Sequence, residues 1–411
     1  MTDTTMGFDR TRLDRIDRQL ARHVEEGRLA GWQLAITRHG RLVHLSAYGH
    51  RDREAGLPVT DDTIWRIYSM TKPIATVAAM TLWEEGAFEL TDPISRWLPE
   101  FADVRVYAEG PVDDVVTVPA TEPIRVWHLL THTSGLTAGF QHAGVVDALY
   151  RRAGYGFGFP EGTTLASFCA DVARLPLLFQ PGTSWGYGVS TDVLGRLIEI
   201  WTGQSLDVAI AERVTGPLGM RDTVWYADDG RKERLAALYV SDPETGLAVR
   251  DDTVGDRALT RPSMLSAGGG MLSTISDYVR FTLMLAGGGE LDGVRILSPR
   301  TLRLMTANHL DADLATLSTS AFTQTDLRGV GFGLGFAVVL DPVKSLSVAG
   351  AGEYYWGGAA GTMFSVDPVE DLTVVFMTQS LPLRGRSRLA GAGTYPTRAQ
   401  LRRLVYSALV D

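Results

Sequence analysis

The order of apolar and polar residues at the start of the chain changes from a helical to a strand-like period. The helical positions, separated by charged residues, are Leu13, Ile16, Leu20 and Val24. Spacings of three and four residues place such side chains on one face of an amphipathic helix. Two β-rich runs follow at residues 31–37 and 42–48, and His39-Gly40 between them predicts a hairpin turn.

β-rich runs return near the other end of the chain. We predict strands over residues 335–340, 346–349, 362–366 and 372–377, and a closing helix over about residues 397–409. A further helix is predicted over residues 271–286, with Ser273 or Thr274 near its start. The intervening residues 66–235 have mostly helical patterns, separated by loops rich in glycine, proline and aromatic residues. Strands at both ends and helices between them predict an α/β (α+β) fold with one sheet built from both termini.

This arrangement predicts a division into two domains. Residues 1–65 and 236–411 are expected to form a discontinuous sheet domain, and residues 66–235 an inserted, mostly helical domain. A chain of 411 residues is long enough for one large domain or two ordinary ones. We expect the active site in the cleft between the two.

Composition limits the kinds of partner that the protein is expected to bind and the cellular compartment in which it is expected. A net charge of −9 argues against nucleic acid and anionic membranes as partners. The first residues lead into a charged helix without the basic and apolar regions of a signal peptide, so we expect a cytoplasmic protein. The single cysteine, Cys169, excludes an internal disulfide, and its apolar helical surroundings indicate a buried structural thiol. The oligomeric state stays open.

Ser69 and Lys72 carry the first chemical signal. Lys72 is one of three lysines in a chain with 36 arginines, and it follows Ser69 by three residues. An apolar helical run begins after Pro73 and closes at Gly86. Because proline is tolerated in the first helical turn, Ser69 is expected at the helix N-terminus with Lys72 one turn later on the same face. An amine in that position can accept or relay the proton of the serine hydroxyl.

Four further segments accompany this Ser-x-x-Lys tetrad. They are residues 129–136 (LLTHTSGL), 181–190 (PGTSWGYGVS), 267–274 (AGGGMLST) and 356–362 (WGGAAGT). In combination they resemble the serine β-lactamase and penicillin-binding-protein superfamily, in its class C branch, with most similarity to family VIII carboxylesterases. The resemblance covers approximately residues 10–408. It implies a β-lactamase-like fold, with an antiparallel sheet from both termini flanked by helices and an inserted helical domain.

The resemblance also implies roles for individual residues. Ser69 matches the acylated nucleophile, Lys72 its activating amine, and Tyr187 the tyrosine that shares the role of base. The backbone N–H groups of Ser69 and Ala359 match the oxyanion hole. Free lysine and tyrosine both titrate near pH ~10, so their use as a base requires burial and mutual influence in the folded site. Such a coupled pair can move one proton between its members.

Two departures from the family pattern point to the substrate. Trp356-Gly357-Gly358 stands where β-lactamases carry Lys-Thr-Gly, and Val189 replaces the asparagine of Tyr-x-Asn. A cation and an amide that grip anionic, peptide-like substrates have both become apolar, which favours a neutral ester. We therefore expect substrate contacts from Trp356, Gly357, Gly358 and Val189.

The leading hypothesis is a serine carboxylesterase that hydrolyses short- to medium-chain esters through an acyl-enzyme, with a small-molecule ester as substrate and no cofactor. An acyltransferase would use the same acyl-enzyme with an alcohol as acceptor. A hydrolase of β-lactams or amides is a third possibility, and the two departures count against it. A non-catalytic β-lactam or peptide sensor is a fourth, against which the intact set of Ser69, Lys72 and Tyr187 argues.

Other residues carry weaker signals. The segment GTSWG around Ser184 fits the nucleophile elbow of α/β-hydrolases but lacks the preceding apolar strand. His128 and His132 have the spacing of a zinc-binding helix without its glutamate, so we predict no metal. Residues 150–159 alternate glycines with aromatics, including Tyr155 and Phe157. They form either an aromatic lid over an acyl pocket, with these two residues as substrate contacts, or a mobile surface loop.

Overall fold

The computed structural model describes residues 4–242, 244–320, 327–381 and 398–411. Its α-helices, in chain order, are α1 (Arg10–Glu25), α2 (Thr71–Glu84), α3 (Val126–Leu130), α4 (Val145–Arg152), α5 (Leu165–Val172), α6 (Ser190–Thr202), α7 (Leu206–Ile210), α8 (Asp252–Gly255), α9 (Ile275–Ala286), α10 (Pro299–Met305), α11 (Leu314–Leu317) and α12 (Arg398–Tyr406). Its strands are β1 (Thr4–Thr5), β2 (Phe8–Asp9), β3 (Gly31–Arg38), β4 (Arg41–Asp52), β5 (Leu57–Pro58), β6 (Trp65–Arg66), β7 (Arg105–Glu109), β8 (Val116–Pro119), β9 (Tyr239–Ser241), β10 (Ala248–Arg250), β11 (Leu272–Ser273), β12 (Glu290–Leu291), β13 (Val294–Arg295), β14 (Val330–Phe332), β15 (Ala337–Val339), β16 (Tyr354–Gly357), β17 (Met363–Asp367), β18 (Leu372–Thr378) and β19 (Ser380–Leu381).

The main sheet joins strands from both ends of the chain. Its eight strands run in the order β14-β15-β16-β17-β18-β3-β4-β5, and every neighbouring pair is antiparallel. The central pairing sets β18, from the C-terminal part, against β3, from the N-terminal part. This confirms the predicted antiparallel sheet built from both termini.

Helices cover both faces of this sheet. Every residue of β3 is buried, and its side chains alternate between the two faces. Trp32, Leu34 and Ile36 pack in one hydrophobic cluster with residues of α1 and α12, whereas Ala35 belongs to the larger cluster that contains α9. The sheet is therefore the middle layer of a helix–sheet–helix sandwich.

Helix α2 lies in the interior on all sides. Its residues Thr71–Leu82 are all buried, in contact with helices α6 and α7. A helix that is apolar around its whole circumference belongs in a core. The same hydrophobic cluster includes residues of the sheet and of the mostly helical region, so the two predicted domains share one core. The boundaries of the two domains stay a prediction. Next to these boundaries, Ile64 and Leu235 form a parallel β-bridge.

Several element predictions need correction. Residues 346–349 form no strand, because the Asp341 side chain accepts the N–H groups of Val343 and Lys344 and starts a series of turns. Strands β14 and β16 lie outside the predicted runs. The helix predicted over 271–286 begins only after Thr274, whose hydroxyl caps it. Thr397, predicted to start the last helix, lies outside the described residues.

No helix in the described part of the chain combines the length and apolar character that crossing a lipid bilayer requires.

Candidate active site

The proposed nucleophile sits in a tight turn between a strand and the buried helix α2. A 3₁₀ turn over Tyr68–Met70 leads directly into α2, so Ser69 precedes the helix by two residues. Tyr68 has a left-handed backbone with φ of 44°, a conformation that bulky residues adopt rarely. The hydroxyl of Tyr278 donates to the carbonyl oxygen of Met70 at 2.9 Å and holds the turn from the side of α9.

Lys72 lies beside Ser69, one helical turn further along the chain. Its Nζ is 3.4 Å from Oγ of Ser69 and donates to the carbonyl oxygen of Gly268 at 2.6 Å. Nζ also lies 4.7 Å from the centre of the Tyr187 ring. The side chain of Lys72 is buried. Ser69, Lys72 and Tyr187, which the sequence assigned to catalysis, thus lie together around Nζ of Lys72.

Tyr187 is held by its backbone, while its hydroxyl remains available. Its N–H donates to Oγ of Ser320 and its carbonyl oxygen accepts from Nε2 of Gln141, both at 2.6 Å. The hydroxyl is buried and has no hydrogen-bond partner among the described residues. A buried hydroxyl without a hydrogen-bond partner costs free energy, and a catalytic role is one explanation for such a group. The role of this oxygen as a base stays a prediction.

His132 packs against Tyr187 without taking charge. The two rings lie 5.2 Å apart. Burial, and to a lesser extent the charge of Lys72, hold the pKa of His132 well below its ordinary value, so its imidazole is neutral at neutral pH. Nδ1 of His128 accepts the N–H of Arg125 at 3.0 Å. The described residues contain no cluster of three potential metal ligands around either histidine.

Trp356 is predicted to contact substrate, and that role stays a prediction. Trp356 is fully buried, and its ring lies 5.3 Å from the rings of both Tyr187 and Phe332. It therefore supports Tyr187 from behind. Gly357 and Gly358, which follow it, are likewise absent from the described residues that line the cavity at Ser69. These three residues shape the site from beneath its surface.

Gly358 allows the following turn to sit against the nucleophile. A side-chain carbon on Gly358 would lie 2.3 Å from the carbonyl oxygen of Ile67, two residues before Ser69. The turn is closed by a hydrogen bond of 2.7 Å from the N–H of Gly358 to the oxygen of Thr362. Ala359 stands at its tip and lines the same cavity as Ser69. The pairing of the Ala359 and Ser69 N–H groups as an oxyanion hole stays a prediction.

A cavity of about 960 Å³ opens at Ser69. Lys72 and Val189 line it, as do Tyr155 and Phe157 from the segment with alternating glycines. Tyr155 is buried and its hydroxyl donates to Oδ2 of Asp171 at 2.5 Å, while Phe157 is half exposed. Phe157 also lies 6.1 Å from the ring of Tyr68. The place of this segment beside the cavity is compatible with the aromatic lid, which stays a prediction.

Ser184, the rival nucleophile, lacks the setting of an elbow. It lies in a turn, and the adjacent Trp185 forms a bridge with Ser318. Neither the apolar strand before it nor the helix directly after it is present in this described part of the chain.

Sequence reasoning missed Asp192, a buried carboxylate that lines the cavity. Its Oδ1 accepts the N–H of Gly268 at 3.0 Å and the hydroxyl of Ser266 at 2.7 Å. Asp192 lies five residues after Tyr187, in the first turn of α6, where an acidic residue usually caps or stabilises a helix. Only the fold reveals that its carboxylate turns inward.

Comparison with known proteins gives consistent results. The family model described as Beta-lactamase matches residues 16–393. Protein Rv1367c of Mycobacterium tuberculosis is 39% identical over 92% of both chains. Esterase EstB of Burkholderia gladioli is 32% identical over 89% of this chain and 90% of its own. The solved structure of EstCE1, described as a hydrolase with promiscuous acyltransferase activity, is 30% identical with a TM-score of 0.78 and covers 97% of this chain and 99% of its own.

Proposed function

Because the chain belongs to the β-lactamase family, with esterases among its relatives, we propose that it is a serine carboxylesterase that hydrolyses short- to medium-chain esters through an acyl-enzyme on Ser69. The observation that carries this proposal is the grouping of Ser69, Lys72 and Tyr187 beside a cavity of about 960 Å³.

The proposed reaction begins with attack of the Ser69 oxygen on the ester carbonyl carbon. The serine proton passes to the Lys72–Tyr187 pair, and the negative oxygen of the tetrahedral intermediate accepts hydrogen bonds from the N–H groups of Ser69 and Ala359. The carbon–oxygen bond to the leaving alcohol then breaks, and that alcohol takes the proton. Water attacks the acyl-enzyme by the same route in reverse and releases the acid.

The preference for neutral esters is supported by the wall of the cavity near Ser69. Val189 and Phe157 line it with apolar surface. The carbonyl oxygen of a simple ester needs only the two N–H donors, whereas β-lactamases of the family attract the substrate carboxylate with a lysine where this chain has Trp356. We therefore propose β-lactam hydrolysis as a side activity at most.

Acyl transfer to an alcohol is a second candidate. It is supported by the likeness to EstCE1, whose description names promiscuous acyltransferase activity. Hydrolysis and transfer share the acyl-enzyme and differ only in whether water or an alcohol reaches it.

Intact-mass spectrometry with an activated ester such as p-nitrophenyl butanoate tests the proposal. We expect an acyl adduct in the wild type that decays in water, and no adduct in Ser69→Ala. When an alcohol is added as acceptor, we expect the wild-type adduct to decay faster and a new ester to form. Decay that yields only the transfer product would favour the acyltransferase. Absence of any adduct across short- and medium-chain esters would contradict the esterase proposal.

A further inference from the structure

Asp192 is connected to the proposed base through a single residue, Gly268. Its Oδ1 accepts the N–H of Gly268, and the carbonyl oxygen of the same Gly268 accepts from Nζ of Lys72 at 2.6 Å. The hydroxyl of Ser266 adds a second hydrogen bond to Oδ1. The position of the Lys72 amine is therefore fixed by a segment that Asp192 itself fixes.

The approach between these groups is unusually close. A side-chain carbon on Gly268 would lie 2.6 Å from Oδ2 of Asp192, so only glycine allows the contact. One turn further along α6, a side-chain carbon on Gly195 would lie 2.7 Å from Cβ of Ala267. Two glycines thus let the start of α6 and the 266–268 segment approach each other closely, with the carboxylate between them.

The carboxylate also acts on Lys72 by charge. Burial raises the pKa of the Asp192 carboxyl, while the charge of Lys72 and the hydrogen bonds from Ser266 and Gly268 oppose that rise. Lys72 itself faces the Tyr187 ring, the neutral imidazole of His132 and this carboxylate. On the side of α5, the charge of Asp192 acts on the thiol of Cys169. Asp192 is the acidic member of this set.

We propose that Asp192 is a positioning residue for the Ser69–Lys72–Tyr187 site, which holds the Gly268 carbonyl against the Lys72 amine. The inference rests on the proposed acyl-enzyme chemistry. A purely structural role would leave the pH profile of the reaction unchanged, whereas removal of a negative charge beside the site should move that profile.

The test is the pH dependence, between about pH 5 and 9, of the rate at which a p-nitrophenyl phosphonate labels Ser69. In Asp192→Asn the amide oxygen can still accept from Gly268, but the charge is lost. We expect its acidic limb to move about one pH unit lower, the usual scale for loss of a neighbouring charge. The variant should then label faster than the wild type at the acidic end and more slowly on the plateau.

Asp277→Asn is a matched control. Asp277 also lies buried in the first turn of a helix and accepts one backbone N–H, from Asp222 at 2.8 Å, and one hydroxyl, from Thr223 at 2.9 Å. Its pKa is likewise raised by burial. We expect this variant to keep the wild-type pH profile. Ser266→Ala, which retains the carboxylate, should lower the plateau rate and leave the acidic limb in place.

Two results would overturn the inference: a profile of Asp192→Asn that superimposes on the wild type, or a variant that changes only the KM for esters. Asp192→Ser, which also removes the charge, repeats the test if the asparagine variant does not fold. Because phosphonate labelling needs no particular ester, a wild type that labels but hydrolyses no ester would contradict the esterase proposal alone.

Discussion

Replacement of Gly358 by alanine tests whether the turn that carries Ala359 must sit against the nucleophile. The new Cβ would lie 2.3 Å from the carbonyl oxygen of Ile67 and 2.2 Å from Oγ1 of Thr362. The oxygen of Ile67 belongs to the backbone, so the turn itself must move, by roughly 1 Å to regain a normal contact. A displacement of about 1 Å in a catalytic group can lower the rate about 100-fold.

We expect Gly358→Ala to lower kcat on p-nitrophenyl butanoate by about 10² to 10³, the range for loss of one oxyanion donor, with a smaller change in KM. Overpacking should reduce the free energy of unfolding by about 1–3 kcal/mol. The additional change Thr362→Ala should not restore activity, because the contact with Ile67 remains. Gly350→Ala, before the other end of β16, is the control, since its nearest neighbour would be Oδ2 of Asp367 at 3.9 Å. A kcat for Gly358→Ala within a few-fold of the wild type would refute this reasoning.

Two further predictions concern protons. Lys72→Ala and Tyr187→Phe should each lower kcat by about two to four powers of ten, and the double variant should be little worse, because coupled residues are strongly non-additive; fully multiplicative losses would contradict a shared role. Burial, and secondarily Arg125, lower the pKa of His128 from 6.5 to about 4. His128 therefore takes up a proton at a higher pH in the unfolded state than in the folded state, and the free energy of unfolding should fall as pH drops from 6.5 towards 4. Chemical denaturation should show a weaker decline in His128→Gln.

The catalytic residues of the site could be predicted from the sequence better than the residues that line its cavity. The Ser-x-x-Lys spacing and the glycine-rich segments identified residues that the fold does bring together, because each sits where a helix, strand or turn begins. The direction of Trp356 was not predictable, since all four residues of β16 are buried and alternation cannot tell the two faces apart. A strand with one exposed face would have carried that information.

Asp192 and the strand wrongly predicted at 346–349 both show what a local sequence pattern cannot reveal. An aspartate in the first turn of a helix has an ordinary local explanation, so only its approach to Gly268 reveals a role at the site. The β-branched and apolar residues near Leu346 predict a strand locally, yet hydrogen bonds to Asp341 turn the chain there. In both cases a contact that depends on the tertiary fold or on a neighbouring polar side chain outweighs the local pattern.

The identity of the nucleophile is tested most directly by locating a covalent adduct. The wild-type protein would be labelled with a p-nitrophenyl phosphonate, digested and sequenced by tandem mass spectrometry, with Ser69→Ala and Ser184→Ala treated in parallel. We predict the phosphonyl group on Ser69, full labelling of Ser184→Ala and none of Ser69→Ala. An adduct on Ser184, or labelling that survives Ser69→Ala, would contradict the account.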